Sequence, residues 1–224
     1  PGEDVKVHHN ELQYITEISL KSPAAMIPQA KNELKRMADM AQENLDRSIK
    51  GFLNQSDEYL DKIYHREEDI NNVSHAITDY LVKSNQLSLP LADQKILGSM
   101  FYVVNDIERI GDHAENFADY TKTELKHNTG LTGDAKEEIK KMYDAVSKLL
   151  KLSLETFIAQ DGVNTQEDKL AEIAALEASI DKMERRYQKH HIKRLAKGDC
   201  EPRAGLLFSD MLSELERIAD HSVN

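Results

Sequence analysis

Residues 105–116, NDIERIGDHAEN, set Glu108 and Asp112 four positions apart, and SELERIADHSVN at 213–224 sets Glu216 and Asp220 at the same interval. On an α-helix, residues four apart share a face, so each pair presents two carboxylates together. Like charges at that spacing repel by a few tenths of a kcal/mol unless something positive joins them. EEDIN at 67–71 and EASID at 177–181 repeat the interval with Glu67 and Asn71, and with Glu177 and Asp181. Oxygen donors converging from two neighbouring helices suit hard or borderline cations such as Mg²⁺, Mn²⁺, Zn²⁺ or Fe. The candidate metal ligands are therefore Glu108, Asp112, Glu216, Asp220, Glu177, Asp181, Glu67 and Asn71, with Asp39 and Asp144 as outer contributors.

A plainer reading competes with this one. Exposed acidic pairs are usually solvated charges, and Arg109 and Arg217 stand beside these as ready partners. On either reading the two arginines hold carboxylates in place. His113 and His221 recur as well, but each follows its acid by one residue and so turns about 100° away from it. They are expected at the surface or behind the ligands. His65, His75, His190 and His191 have no counterpart at the equivalent position and read as surface residues.

The recurrence reaches beyond the acidic motif. RMADMAQENLDRSIKGF at 36–52 matches KMYDAVSKLLKLSLETF at 141–157 through Met37/Met142, Asp39/Asp144, Leu45/Leu150, Ser48/Ser153 and Phe52/Phe157. DEYLDKIYHREEDIN at 57–71 matches EDKLAEIAALEASID at 167–181 through Leu60/Leu170, Ile63/Ile173, Glu67/Glu177 and Ile70/Ile180. Three matched blocks in one order indicate an internal duplication. Each block has apolar residues at alternating steps of three and four, as in Val103, Ile107, Ile110, Ala114 and Phe117, which predicts helices with one face in a bundle core. NQLSLP, HNTGLTG, QDGVN and KGDCEP separate the blocks. The expected fold is all-α: two tandem antiparallel three-helix repeats forming a six-helix bundle. Residues 1–29 form a lead-in, 30–128 the first repeat and 129–224 the second. Ser22 and Pro23 can open a helix, and Pro28 either kinks it or marks a restart.

Composition narrows the function. Forty acidic against 29 basic residues give a net charge of −11, which disfavours general nucleic-acid binding. No apolar run approaches the ~20 residues needed to cross a bilayer. The N-terminal PGEDVKVHHNE does not read as a signal peptide. The single Cys200 cannot form an internal disulfide, which favours a reducing compartment. There is no phosphate-cradling glycine loop and no nucleophile elbow, so no hydrolase, kinase or oxidase turnover is expected. The enzymatic rival is a carboxylate-bridged di-metal oxidase, which needs a Glu-x-x-His pair on each of two helices. Only Glu124 and His127 form one here.

On DIERIGDHAENFAD and ELERIADHSVN, together with EEDIN and EASID, residues 30–224 resemble the PhoU family. The resemblance implies two three-helix repeats, a role in phosphate homeostasis, and metal ions or clusters on the acidic motifs, with Asn71 at a place where a carboxylate is common. LQYITEISLKSPAAMIPQAKNELKRMADM is further similar to the junction preceding the PhoU-like region of bacterial sodium/phosphate cotransporter family proteins. That likeness implies a cytoplasmic domain attached to the inner membrane through an upstream transporter domain. The alternative within the family is a free-standing regulator of an ABC phosphate importer and its sensor kinase. Phosphate-signalling proteins are the expected partners, and a homodimer is compatible with either reading.

Overall fold

The computed structural model describes residues 12–16, 23–127, 130–159 and 163–224. Six helices follow one another: α1 (Pro23–Leu53), α2 (Leu60–Asn85), α3 (Leu91–His127), α4 (Gly133–Ile158), α5 (Val163–Lys197) and α6 (Pro202–Val223). No strand occurs among the described residues. Four of the five breaks fall at the anticipated stretches, while the one between α1 and α2, at 54–59, was not among them. Thr132 caps α4, its hydroxyl accepting from the Ala135 amide at 3.3 Å. α5 ends where Gly198 takes φ +76°, the left-handed conformation that turns its amide back to Leu195 and that of Asp199 to Arg194. Pro202 then opens α6, where its missing N–H costs nothing. α1 runs unbroken through Pro28, so the helix does not restart after it. The anticipated Ser22 cap lies outside the described residues.

Each triplet closes on itself, α1 with α2 and α3, α4 with α5 and α6, and the apolar stripes meet inside. Met37, Leu45, Phe52, Ile70, Ile77, Val104, Ile110 and Phe117 are buried in the first repeat, and Met142, Val146, Leu149, Ile180, Phe208, Met211 and Ile218 in the second. The two triplets join along α1·α4 and α3·α6. Equivalent helices therefore face each other, which is the contact pattern of a two-fold axis folded into one chain. Across the α1·α4 half, Gln42 Nε2 donates to the Tyr143 hydroxyl at 3.1 Å, and Lys31 Nζ donates to the Phe157 carbonyl at 2.9 Å. Two glycines mark close approaches between helices: a Cβ on Gly111 would stand 2.7 Å from Glu67 Oε2, and one on Gly205 would stand 2.4 Å from His191 Cε1. Glycine at these points lets α2 approach α3 and α5 approach α6.

The lead-in is tied down by one acid. Glu33 is fully buried, and its Oε2 accepts from the amides of Gln13 (2.9 Å) and Tyr14 (2.8 Å), while Arg36 grips the other oxygen. Ile15 inserts into the core beside it.

Candidate functional site

In the first repeat, α2 and α3 bring Glu67, Glu108 and Asp112 together. Glu67 is the centre: its side chain is sealed against Gly111, and neither carboxylate oxygen has a hydrogen-bond partner. Burial, then the charges of Asp112, Glu115 and Glu108, push its pKa up to about 8. Glu108 is raised by burial and by Asp112, against the opposing pull of Arg109 and His75. Asn71 lies one turn along α2 from Glu67, half-buried, and brings no charge to the patch.

In the second repeat, α5 and α6 assemble the equivalent patch less tightly. Glu216 is raised by burial, then by Asp220, Glu184 and Asp181. Glu177 is half-buried and lines a shallow groove with Arg217, Asp220 and His221. Asp181 pairs with Arg185 at 3.0 Å. The difference between the repeats has a visible cause. Ala219 stands where the first repeat has Gly111, and a methyl at Gly111 would itself meet the Glu67 carboxylate at 2.7 Å.

Two acids were not foreseen, Glu115 and Glu184. Each extends its neighbours into a ridge at steps of four and three, 108–112–115 on α3 and 177–181–184 on α5, and that period was readable in the sequence. The outer contributors stay apart: Asp39 is an exposed partner of Lys35, and Asp144 is exposed in a groove between α1 and α4. Among the described residues, no three acidic, histidine or cysteine groups enclose an ion as the side chains stand. A cation nevertheless fits the donor chemistry of the first patch. A dry carboxylate with two orphaned oxygens, ringed by three more acids, is costly by itself and is relieved by positive charge.

The histidines correct the sequence reading. His113 is buried, and its Nδ1 bonds Glu214 on the opposite repeat. Its counterpart His221 bonds Asp106 through Nδ1 at 2.9 Å, again across the seam. The two imidazoles stack at 5.7 Å between centroids. Asp106 and Glu214 are themselves equivalent, so the motif is written twice partly because each copy's acid receives the other copy's histidine. Asn116 Nδ2 adds a bond to Glu214 at 3.0 Å and Arg217 sits 3.5 Å from it. Burial would raise Glu214, but the bonds from His113 and Asn116 and the charges of His113 and Arg217 hold it below the usual carboxylate range. The seven-residue step from each acid to the histidine on its own helix was the available signal.

His190 and His191 are not ordinary surface residues either. His190 Nδ1 meets Glu138 at 2.6 Å, and His191 is buried against Phe208, its pKa lowered by burial and by Arg194. Glu124 and His127 do not act as a pair. Glu124 is buried and accepts from Gln55 Nε2 at 3.0 Å, whereas His127 is exposed.

These features define a class: a duplicated three-helix protein whose equivalent helices meet at an internal two-fold seam and whose outer faces carry paired acidic patches. The PhoU domain model matches residues 34–121 and 139–224, once per repeat, and the chain belongs to the PhoU domain family. It is 20% identical over 87% of its length to phosphate-specific transport system accessory protein PhoU homolog 1 of Thermotoga maritima, covering 81% of that protein. It is 22% identical over 86% of its length to the homolog of Clostridium acetobutylicum, covering 85% of it. The fold matches the crystal structure of PhoU from Pseudomonas aeruginosa with a TM-score of 0.79 at 20% identity, over 90% of this chain and 93% of that one. PhoU of Streptococcus pneumoniae, a phosphate transport system regulatory protein, matches at 0.78 and 20% identity, over 91% and 92%.

Proposed function

We propose that this protein is a non-catalytic regulator of phosphate transport whose two acidic patches bind divalent or trivalent cations. The observation that carries the metal part is Glu67: a buried carboxylate with no partner, surrounded by Glu108, Asp112 and Glu115. Glu67, Glu108 and Asp112 would hold an ion in the first repeat, with Glu115 behind them. Glu216, Asp220 and Asp181 would do so in the second, with Glu177 and Glu184 alongside. The ion would supply positive charge that couples α2 to α3 and α5 to α6, and so make the spacing of these helices respond to ligand.

The regulatory part rests on family membership and on the relatives' role as accessory proteins of phosphate-specific transport systems. Those relatives favour a free-standing regulator acting on an importer and its signalling proteins over a domain of a sodium/phosphate cotransporter. The cotransporter reading keeps one supporting observation, the lead-in at residues 12–16, which Glu33 and Ile15 fasten to α1.

The metal content of protein purified without chelator tests the first part. Glu108→Gln with Asp112→Asn should lower the stoichiometry at one patch, and Glu216→Gln with Asp220→Asn at the other. Each should remove about half of the thermal stabilisation that Mn²⁺ or Zn²⁺ confers, as expected for independent sites. Equal metal content and equal stabilisation in wild type and both variants would return the acids to a solvated surface.

A further inference from the structure

The C-terminal half of α5 departs from the chain's overall charge. Between residues 182 and 197 stand seven cations, Lys182, Arg185, Arg186, Lys189, Lys193, Arg194 and Lys197, against a single acid, Glu184, in a chain of net charge −11. Their spacing puts all but Arg194 within a stripe on one helix face, whereas Glu184 falls on the opposite side. Lys182, Arg185, Arg186, Lys189, His190 and Lys193 line one shallow depression there. Among the described residues, Arg185 is the only one of the six stripe cations in an ion pair, with Asp181. Arg186 lies over the ring of Tyr187 at 4.9 Å. On the α4 side the row is closed off by Glu138, which takes His190 and Arg194. On the α6 side it is flanked by apolar groups left in the open: Ile192 is 63% exposed and Leu206 66%.

We infer that this stripe is a docking surface for an anionic lipid bilayer. A row of lysines and arginines some 22 Å long, at 1.5 Å per residue, is matched by a flat and uniformly negative surface. An acidic protein partner would call for discrete counter-charges, and the stripe offers no interleaved acid or acceptor to fix their register. Bare Ile192 at the edge of the stripe and Leu206 on neighbouring α6 complete the pattern of a helix that lies on a membrane: charge draws it in and apolar side chains enter the headgroup boundary. The acidic remainder of the molecule is repelled by the same membrane, so attraction at α5 alone sets one orientation. This inference does not depend on metal binding.

Sedimentation with vesicles tests it, using phosphatidylcholine alone and phosphatidylcholine mixed with phosphatidylglycerol. The protein should pellet with the mixed vesicles, remain in solution with the neutral ones, and be released by salt. Each cation lost from the stripe should weaken partitioning about fivefold. Lys182→Glu with Lys189→Glu and Lys193→Glu should abolish it while the helical circular dichroism is unchanged. Lys62→Glu with Lys126→Glu and Lys151→Glu makes the same change in net charge elsewhere and should bind far better than the stripe variant. Lys189→Glu alone provides a milder check should the triple variant fold poorly. Equal loss in the two triple variants overturns the assignment to α5. No binding to mixed vesicles overturns the inference, as does binding to duplex DNA or an acidic polypeptide in its place.

Discussion

Replacing Glu67 with glutamine keeps its shape and removes its charge, which isolates the cost of the dry carboxylate. The group's ordinary pKa is 4.5 and the fold raises it to about 8. Between those values the unfolded chain has lost the proton and the folded chain still holds it, so stability falls as pH rises. The loss is absent below pH 4.5 and complete above pH 8. At 1.36 kcal/mol per pH unit the full difference is about 5 kcal/mol. For a chain of this size that corresponds to roughly 10–20 °C in melting temperature. The assay is thermal unfolding of chelator-stripped wild type and Glu67→Gln from pH 5 to pH 8.5. The two should melt together near pH 5, where Glu67 is protonated, and diverge above it, with the glutamine variant the more stable. Mn²⁺ or Zn²⁺ should then recover the wild type at high pH and do much less for the variant. Parallel pH profiles with the same metal response would refute the reasoning, since Glu67 would then be solvated or paired in solution.

Gly205→Ala should destabilise the protein by about 1–3 kcal/mol in urea unfolding, because its methyl would collide with the His191 ring; trimming that ring with His191→Ala should recover part of the loss. His113→Ala leaves Glu214 short of its main partner in a buried seam and should cost about 2–4 kcal/mol, and adding Glu214→Gln should cost less than the two single changes together. Glu33→Ala removes the acceptor that holds the lead-in, so hydrogen exchange at the Gln13 and Tyr14 amides should accelerate by about tenfold or more while the amides of α3 keep their protection.

Much of this protein was written locally. The steps of three and four through Val103, Ile107, Ile110, Ala114 and Phe117 set the inward face of α3, and all but half-buried Val103 are core residues. The matched blocks defined two equivalent units, and proline and glycine punctuation placed four of the five loops, because helix phase and chain reversal are decided over a few residues. The grouping of Glu67 with Glu108 and Asp112 followed from the same phase, since α2 and α3 are joined by a short loop and must lie side by side.

What lay beyond the sequence depends on contacts between segments far apart in the chain. The exchange of His113 to Glu214 and of His221 to Asp106 spans about a hundred residues. It exists only because the two triplets dock with α3 against α6, and no local pattern specifies that docking. His191 appeared polar and unpaired in sequence, yet the close approach of α6 at Gly205 buries it. The inequality of the two patches also came from packing: one methyl, present on Ala219 and absent from Gly111, decides whether an acid is sealed inside or left at the edge. Periodicity assigns a residue to a face, but only the distance between two backbones determines whether a charge on that face stays wet.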